Sequence, residues 1–289
     1  MTVGTSEETS ESALKKAVVF MLLSTLSFAL MNAFVKYLDN IPTFQLVFFR
    51  SLGSFVLATS FILTHKIRIL GNNRKLLVLR SFLGLSSMSL FFMSINYLPI
   101  GTAVSLRYLA PIFAALFAAV LLKEKLRTVQ WLLFMIAFTG VLILRGFDKN
   151  VNPTGFVLVL VASILSGMVF VIIRRIGNGD HPLVIVNYFM FAGTVVGGLI
   201  SIFTWQQPIG YQWLFLGCLG LFGYFGQLYM TKAFQIAKTN LVAPLKYIEV
   251  VFTITVGMFW FGEIYTFWSY LGLFLIIVAL VLNSFVRSK

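Results

Sequence analysis

Apolar residues recur along the chain in runs of about 20, and short polar breaks separate these runs. A run of this length is what an α-helix needs to cross the hydrocarbon core of a bilayer. The polar residues 1–13 ahead of the first run are predicted to form a disordered cytoplasmic tail. The runs predict ten membrane-spanning helices, at roughly 14–37, 43–64, 76–97, 101–122, 128–145, 154–175, 183–204, 212–234, 241–262 and 266–286.

Lysine and arginine are distributed unevenly between the two ends of these predicted helices. With the amino terminus inside, 15 of the 22 cations fall on the cytoplasmic side, 3 fall on the outer side, and the other four lie within spans. Loops that stay in the cytoplasm carry such an excess of positive charge. Both termini are therefore predicted to be cytoplasmic.

Two segments of the chain, residues 101–124 and 240–263, resemble each other when one is shifted by 139 residues. The matched pairs are Arg107 with Lys246, Tyr108 with Tyr247 and Glu124 with Glu263. Beyond these segments, the same shift pairs Ser81, Gly84 and Ser87 of the third predicted helix with Gly220, Gly223 and Gly226 of the eighth. Because five helices per copy is an odd number, the second copy must cross the membrane in the opposite direction. The sequence predicts two inverted five-helix repeats, residues 14–145 and 154–286, with a site between them near the midplane.

Composition excludes several classes of protein. Hydrophobic residues make up 59% of the chain and charged residues 11%, and the mean hydropathy is +0.95, which leaves no length for a sizeable soluble domain. The net charge of +13 is spread over loops, so it favours membrane orientation over nucleic-acid binding. The sequence has no phosphate-binding glycine loop and no cluster of histidine and cysteine, so we expect no enzyme, no cofactor and no metal site.

Five charged residues lie inside the predicted spans. If all five faced lipid they would cost about 12 kcal/mol, so they must face protein or water. Arg80 lies near the cytoplasmic end of its helix, and we expect its side chain to extend to the lipid headgroups. Arg50 lies deeper, where a buried pair and a binding role are equally compatible with its position. The five are Arg50, Arg80, Arg107, Lys246 and Glu249.

Arg107 and Lys246 are the strongest candidates for binding a substrate, because the repeat places them on helices that face each other. Two cations in one cavity attract a carboxylate or phosphate, and the tyrosine that follows each can donate a hydrogen bond or stack. Glu249 lies three residues after Lys246, so it is either half of an intrahelical ion pair or a carboxylate for proton coupling. The predicted substrate-binding residues are Arg50, Arg107, Tyr108, Tyr224, Gln227, Lys246, Tyr247 and Glu249.

Three short motifs resemble the EamA type of the drug/metabolite transporter superfamily: LLKEKL and FWFGEIY at the ends of the fourth helices, and FFRSLG around Arg50. The second half departs from the first, since Tyr188 and Phe189 stand where an equivalent of Arg50 is expected. The resemblance covers both halves and implies a secondary transporter in a bacterial cytoplasmic membrane. Its partners would be a small-molecule substrate, the bilayer and a coupling proton.

The substrate is left open by these patterns. Two cations favour a small anionic or zwitterionic metabolite, such as an amino acid or organic acid, moved by alternating access. The resemblance also admits uptake or exchange of S-adenosylmethionine or a similar nucleoside metabolite, which would use Glu249 for its cationic part. A translocator of lipid headgroups, with its polar residues on a face that reaches the bilayer, is a further alternative.

Overall fold

The chain is described by a computed structural model that covers residues 3–38, 40–95, 97, 103, 106–125, 127–145, 152–261 and 267–286. Within these residues the structure contains helices and no strand, which confirms the all-α prediction. The longer helices are α1 (Val3–Tyr37), α2 (Thr43–Thr64), α3 (Arg74–Ile95), α4 (Ala110–Leu121), α5 (Thr128–Arg145), α6 (Pro153–Ile176), α7 (Pro182–Ser201), α8 (Gln212–Ile236), α9 (Ile248–Phe261) and α10 (Phe267–Phe285).

Six helical segments among the described residues are long and apolar enough to cross a membrane. Such segments bury their backbone hydrogen bonds internally, which is what the bilayer interior requires. The chain is thus an integral membrane protein, while a crossing by all ten predicted helices stays a prediction. The six segments are Ser12–Val35, Thr43–Thr64, Pro153–Gly179, Pro182–Ser201, Gln212–Ile236 and Thr239–Trp260.

The amino-terminal helix begins ahead of the first apolar run. Helix α1 is assigned from Val3, and the apolar run continues the same helix. A disordered cytoplasmic tail over residues 1–13 stays a prediction. Residues 1 and 2 lie outside the described part of the chain.

The helices of the two halves pack in an exchanged pattern. Helix α1 packs on α8, the third helix of the second half, and α3 packs on α6, the first helix of that half. The same reciprocity relates the α2–α8 and α3–α7 contacts, and the α1–α9 and α4–α6 contacts. Equivalent helices pair with each other in α2–α7 and α5–α10. This pattern is what a pseudo-two-fold axis between interleaved halves produces.

Small residues let two of these helices approach closely. A Cβ atom on Gly53 of α2 would lie 2.8 Å from the Cα of Gly220 in α8, so neither position has room for a side chain. The Ser54 hydroxyl adds a hydrogen bond to the Gly220 carbonyl at 2.8 Å. Gly220 therefore has a packing role, since backbone contact is how helices associate where lipid supplies no hydrophobic drive.

Glu124, at the end of the fourth helix of the first half, joins that half to the second. Its carboxylate accepts hydrogen bonds from the backbone N–H groups of Thr239 at 3.0 Å and Asn240 at 3.1 Å, and lies 3.8 Å from the Arg174 guanidinium. Glu124 thus bridges the end of α4 to the second half of the chain. Its predicted equivalent, Glu263, lies outside the described residues.

Candidate functional site

The fourth helix of each half is interrupted before its regular part begins. Helix α4 has 12 residues and follows a turn at Tyr108 and Leu109, while α9 has 14 residues and follows the 3₁₀ segment Ala243–Tyr247. The regular parts, about 18 and 21 Å long, reach only part of the way across a hydrocarbon core of about 30 Å. In the second half, the residues from Thr239 up to α9 extend the helix to a length that can cross the membrane. Pro111 and Pro244, which lack a backbone N–H, lie at these two interruptions.

Tyr108 and Tyr247 bring the interruptions into direct contact. The Tyr247 hydroxyl donates to the Tyr108 carbonyl oxygen at 2.8 Å, and the ring centroids are 5.8 Å apart. Because the two residues are equivalent in the repeat, their contact marks the position of the pseudo-two-fold axis. The Tyr247 side chain is fully buried, so its hydroxyl is committed to holding the halves together.

Lys246 and Glu249 form the predicted intrahelical ion pair. The Lys246 ammonium lies 2.7 Å from the Glu249 Oε2, and each side chain is 14% exposed. Glu249 Oε1 accepts a further hydrogen bond from Asn32 Nδ2 of α1 at 3.3 Å. The ammonium also lies 4.5 Å from the centroid of the Phe28 ring, which adds a cation–π contact. A role of Glu249 in proton coupling stays a prediction.

Arg107, the repeat equivalent of Lys246, has different surroundings. Its guanidinium carbon lies 4.3 Å from the centroid of the Phe91 ring in α3, and the residue is exposed on the surface of the described chain. Arg107 lies within electrostatic range of both Glu249 and Arg50. The structure therefore brings Arg107 and the Lys246–Glu249 pair into one electrostatic cluster.

The position of Arg80 corrects the prediction that its side chain reaches the lipid headgroups. The residue is 1% exposed, and its Nη2 donates to Gln227 Oε1 in α8 at 3.0 Å. Its guanidinium carbon lies 4.2 Å from the centroid of the Phe189 ring in α7. The prediction was wrong because it considered only the distance of Arg80 from the helix end, and the acceptor and ring that hold the side chain inward come from other helices.

Arg50 extends the cluster from α2. Its Nη1 donates to the Met88 Sδ at 3.2 Å, and it interacts electrostatically with Arg107, Glu249 and Arg80. Among the described residues, this cluster contains the four cations Arg50, Arg80, Arg107 and Lys246 and the carboxylate of Glu249, which leaves an excess of three positive charges. Such an excess within a membrane protein is costly unless other groups or water compensate it.

Tyr224 is the predicted site residue with the weakest connection to this cluster. It is buried in α8, and its ring meets the Phe225 ring edge to face at 5.2 Å.

The sequence patterns also predicted no binding role for Arg80. A glycine four residues after it, Gly84, could have indicated that the helix leaves room there for a large side chain.

Comparison with known proteins identifies the family. Residues 15–146 and 153–285 each match the EamA-like transporter family. The chain belongs to that family. The resemblance to EamA-type members of the drug/metabolite transporter superfamily is therefore confirmed, and an EamA-like chain of this kind is a transporter.

Several relatives of this EamA-like chain extend over most of its length. The pseudopaline exporter CntI of Pseudomonas aeruginosa is 27% identical over 279 residues, which are 96% of this chain and 98% of that protein. Human solute carrier family 35 member G1 is 26% identical over 97% of this chain and 83% of that protein. The S-adenosylmethionine uptake transporter of Rickettsia prowazekii is 25% identical over 85% of this chain and 84% of that protein.

A solved crystal structure shares the fold of this EamA-like chain. It superposes with a TM-score of 0.83 at 18% sequence identity, and the match covers 95% of this chain and 97% of the other. At this level of identity the likeness concerns the arrangement of helices alone.

Proposed function

We propose that this EamA-like transporter is a secondary active transporter that moves a small anionic or zwitterionic metabolite by alternating access. The observation that carries the proposal is the cationic cluster of Arg50, Arg107 and Lys246, which lies beside the contact between Tyr108 and Tyr247 of the two halves. An excess of positive charge within the membrane is stabilised by an anionic ligand and is costly without one.

The start of α4 adds to this preference for an anion. A helix amino terminus carries a partial positive charge, and transporters use such ends inside the membrane to bind anionic substrate groups. Helix α4 has no acidic residue in its first turn, so its positive end is not neutralised by its own side chains. Arg107 lies three residues before Ala110, where this helix begins.

Alternating access follows from the exchanged packing of the two halves. The proposed topology has ten membrane-spanning helices in two inverted repeats, residues 14–145 and 154–286, with both termini cytoplasmic. Because the largest contacts between the halves are either reciprocal or between equivalent helices, two arrangements related by exchange of the halves are close in free energy. Relatives in Pseudomonas aeruginosa and Rickettsia prowazekii, which match 96% and 85% of this chain, support a bacterial cytoplasmic membrane as its location.

Glu249 is the proposed coupling residue. Its carboxylate holds the Lys246 ammonium and the Asn32 amide at the same time. Protonation of Glu249 would release Lys246, so that an anionic substrate could bind the freed ammonium and travel with the proton. The cycle would then move one proton together with one substrate.

A second candidate substrate is S-adenosylmethionine, and the relative of that name in Rickettsia prowazekii favours it. Its sulfonium and amino groups would face Glu249, and its carboxylate would face Arg107. The rings of Phe28 and Phe91, already in contact with cations, offer surfaces for its adenine.

The test is counterflow in proteoliposomes with labelled amino acids, carboxylates and S-adenosylmethionine, compared between wild type and Arg107→Gln. We expect counterflow of an anionic or zwitterionic solute and a loss of about tenfold or more in its apparent affinity in the variant. Arg74→Gln, at the exposed start of α3, is the matched control and should behave as wild type. Counterflow unaffected by Arg107→Gln would remove Arg107 from the site.

Coupling is tested separately with Glu249→Gln in the same proteoliposomes. We expect the variant to lose uptake driven by a pH gradient and to keep exchange, because Gln cannot carry the proton but retains the shape of Glu. Gradient-driven uptake equal to that of wild type would show that Glu249 is not the coupling residue.

A further inference from the structure

Arg50 and two residues beside it have repeat equivalents in the other half, and two of these three pairs differ in chemistry. At a shift of 139 residues Arg50 corresponds to Phe189, Met88 to Gln227 and Gly223 to Gly84. The second half thus lacks the arginine, but it carries an amide where the first half carries a thioether. The comparison of these two triads shows what replaces the missing cation.

Around Arg50 the three positions are in contact. A Cβ atom on Gly223 would lie 3.1 Å from the Arg50 Cγ and 3.4 Å from its Nε, so the glycine makes room for the side chain to cross α8. The Arg50 guanidinium then reaches Met88 of α3. Arg50 therefore lies between the third helices of both halves.

Around Phe189 the equivalent residues, Gly84 and Gln227, are also close to one another, and Arg80 joins them. The Phe189 ring lies against Gly84, whose added Cβ would be 3.2 Å from the ring. The Arg80 guanidinium covers this ring and bonds to Gln227, the equivalent of Met88. Arg80, a residue of the first half, thereby places a guanidinium beside Phe189, the position where the second half has no arginine.

Arg80 also points toward the middle of its helix. Its Nη1 lies 3.3 Å from the Cβ position of Gly84, one turn further from the cytoplasmic end of α3 than Arg80 itself. Arg80 and Arg50 therefore converge on the same stretches of α3, at Gly84 and Met88, and of α8, at Gly223 and Gln227. The positive charges of Arg50 and Arg80 repel each other.

Both guanidinium groups keep donors that the described residues do not satisfy. Arg80 Nε and Nη1 and Arg50 Nε are buried and have no hydrogen-bond acceptor within the described part of the protein. A guanidinium presents its N–H groups as a planar fork that matches a carboxylate or phosphate. Two such forks that repel each other are stabilised together by a ligand with two negative charges.

We propose that Arg50 and Arg80 are a quasi-symmetric pair of binding residues for a metabolite with two oxyanion groups, such as a dicarboxylate. The inference rests on the proposed transport function and narrows its substrate class. Arg80 receives a binding role, and the divergence of the repeat at Phe189 is explained, because the ring serves as the platform for Arg80.

The experiment measures the binding of glutarate and valerate to the purified protein, since these probes share a carbon chain and differ by one carboxylate. Wild type is expected to bind glutarate at least about tenfold more tightly. Arg80→Gln is expected to lose most of this preference while its affinity for valerate stays within about twofold. Arg74→Gln, on the exposed end of the same helix, is the control and keeps the preference.

Gln227→Glu provides a second variant that leaves Arg80 in place. The new carboxylate has the shape of the amide and neutralises Arg80, so the glutarate preference should again fall by about tenfold. Retention of the wild-type preference in either variant overturns the inference. Equal binding of both probes by wild type overturns the inference alone, whereas binding of neither probe contradicts the proposed transport of small anions as well.

Discussion

Arg107 and Lys246 occupy equivalent positions in the two halves and yet have opposite surroundings. Lys246 is bound to a carboxylate three residues further along the chain, whereas Ala110 stands at that position after Arg107. Lys246 is largely buried, and Arg107 is exposed. The second half thus contributes a neutralised pair, and the first half contributes a positive charge without a carboxylate at the equivalent position.

This difference teaches how a symmetric fold can hold an asymmetric site. The backbone keeps the symmetry, since both fourth helices are interrupted and the two tyrosines meet at the axis. The charges do not, because α9 has Glu249 in its first turn and α4 has no acidic residue in its own. The symmetry of the backbone thus does not extend to the charges at these positions.

The largest effect is expected from removal of the Lys246 charge. Lys246→Met removes the direct ion-pair partner of Glu249 within the membrane and should lower the free energy of unfolding by about 3 kcal/mol. Arg107→Met removes an exposed cation and should change it by less than about 1 kcal/mol. Thermal unfolding of the purified variants in detergent measures both.

The double variant Lys246→Met, Glu249→Leu is the control for this comparison. It removes both charges of the pair, so most of the lost stability should return. Equal destabilisation by Lys246→Met and Arg107→Met would contradict the distinction between a paired and an unpaired cation.

A smaller effect is expected when the missing carboxylate is introduced into the first half. Ala110→Glu places an acid three residues after Arg107, at the spacing that Glu249 has from Lys246. The new pair should weaken the apparent affinity for an anionic substrate by about tenfold. Ala110→Gln has the same shape without the charge and serves as the control in the same transport assay. Equal affinities of the two variants would show that the charge of Arg107 is not used for binding.

Much of this architecture could be predicted from the sequence because it depends on patterns that repeat. The shift of 139 residues predicted that Tyr108 and Tyr247 correspond, and the structure places them in contact. The same shift pairs Pro42 with His181, which precede the second helices of the two halves. These features follow from length, periodicity and equivalence between copies, which a single chain displays directly.

The surroundings of each cation could not be predicted in the same way. Arg80 bonds to Gln227, 147 residues away, and the length of its side chain allows it to point toward either end of the helix. Arg107 and Lys246 looked alike because the pattern does not show that Phe91 and Phe28, on different helices, would lie beside them. Long flexible side chains take their direction from partners that only the packed structure brings near.

At the contact between Tyr108 and Tyr247, the expected loss of stability is smaller than that caused by Lys246→Met. Tyr247→Phe removes the donor to the Tyr108 carbonyl within a buried contact, and should lower the free energy of unfolding by about 1 kcal/mol. Tyr108→Phe is the control for this hydrogen bond. It leaves the bond from Tyr247 in place, because the acceptor is the backbone carbonyl of Tyr108. Thermal unfolding in detergent distinguishes them, and an unchanged Tyr247→Phe variant would show that the hydroxyl does not contribute to the joining of the halves.

The second helices of the two halves begin with a further asymmetry. Pro42 precedes α2 and makes no side-chain cap, while its repeat equivalent His181 caps α7 by accepting a hydrogen bond at Nδ1 from the Leu183 N–H at 3.3 Å. Only an imidazole without a proton at Nδ1 can accept this bond. Burial and the positive charges of Lys232 and His65 lower the pKa of His181 below its usual 6.5.

The smallest effect is therefore a pH dependence confined to the second half. Because the pKa of His181 is lower in the folded protein, its contribution to stability is present above pH 6.5 and is lost as the pH falls through the folded value. His181→Asn keeps an oxygen that can cap the helix and does not titrate, so thermal unfolding should lose this part of its acid sensitivity. His65→Asn is the control, because it leaves the cap in place. It should retain the acid-induced loss at a somewhat higher pH, since His65 no longer lowers the pKa of His181. If His181→Asn has the same pH profile as wild type, protonation of His181 does not affect the stability of the α7 cap. The starts of α2 and α7 would then not differ in their pH dependence.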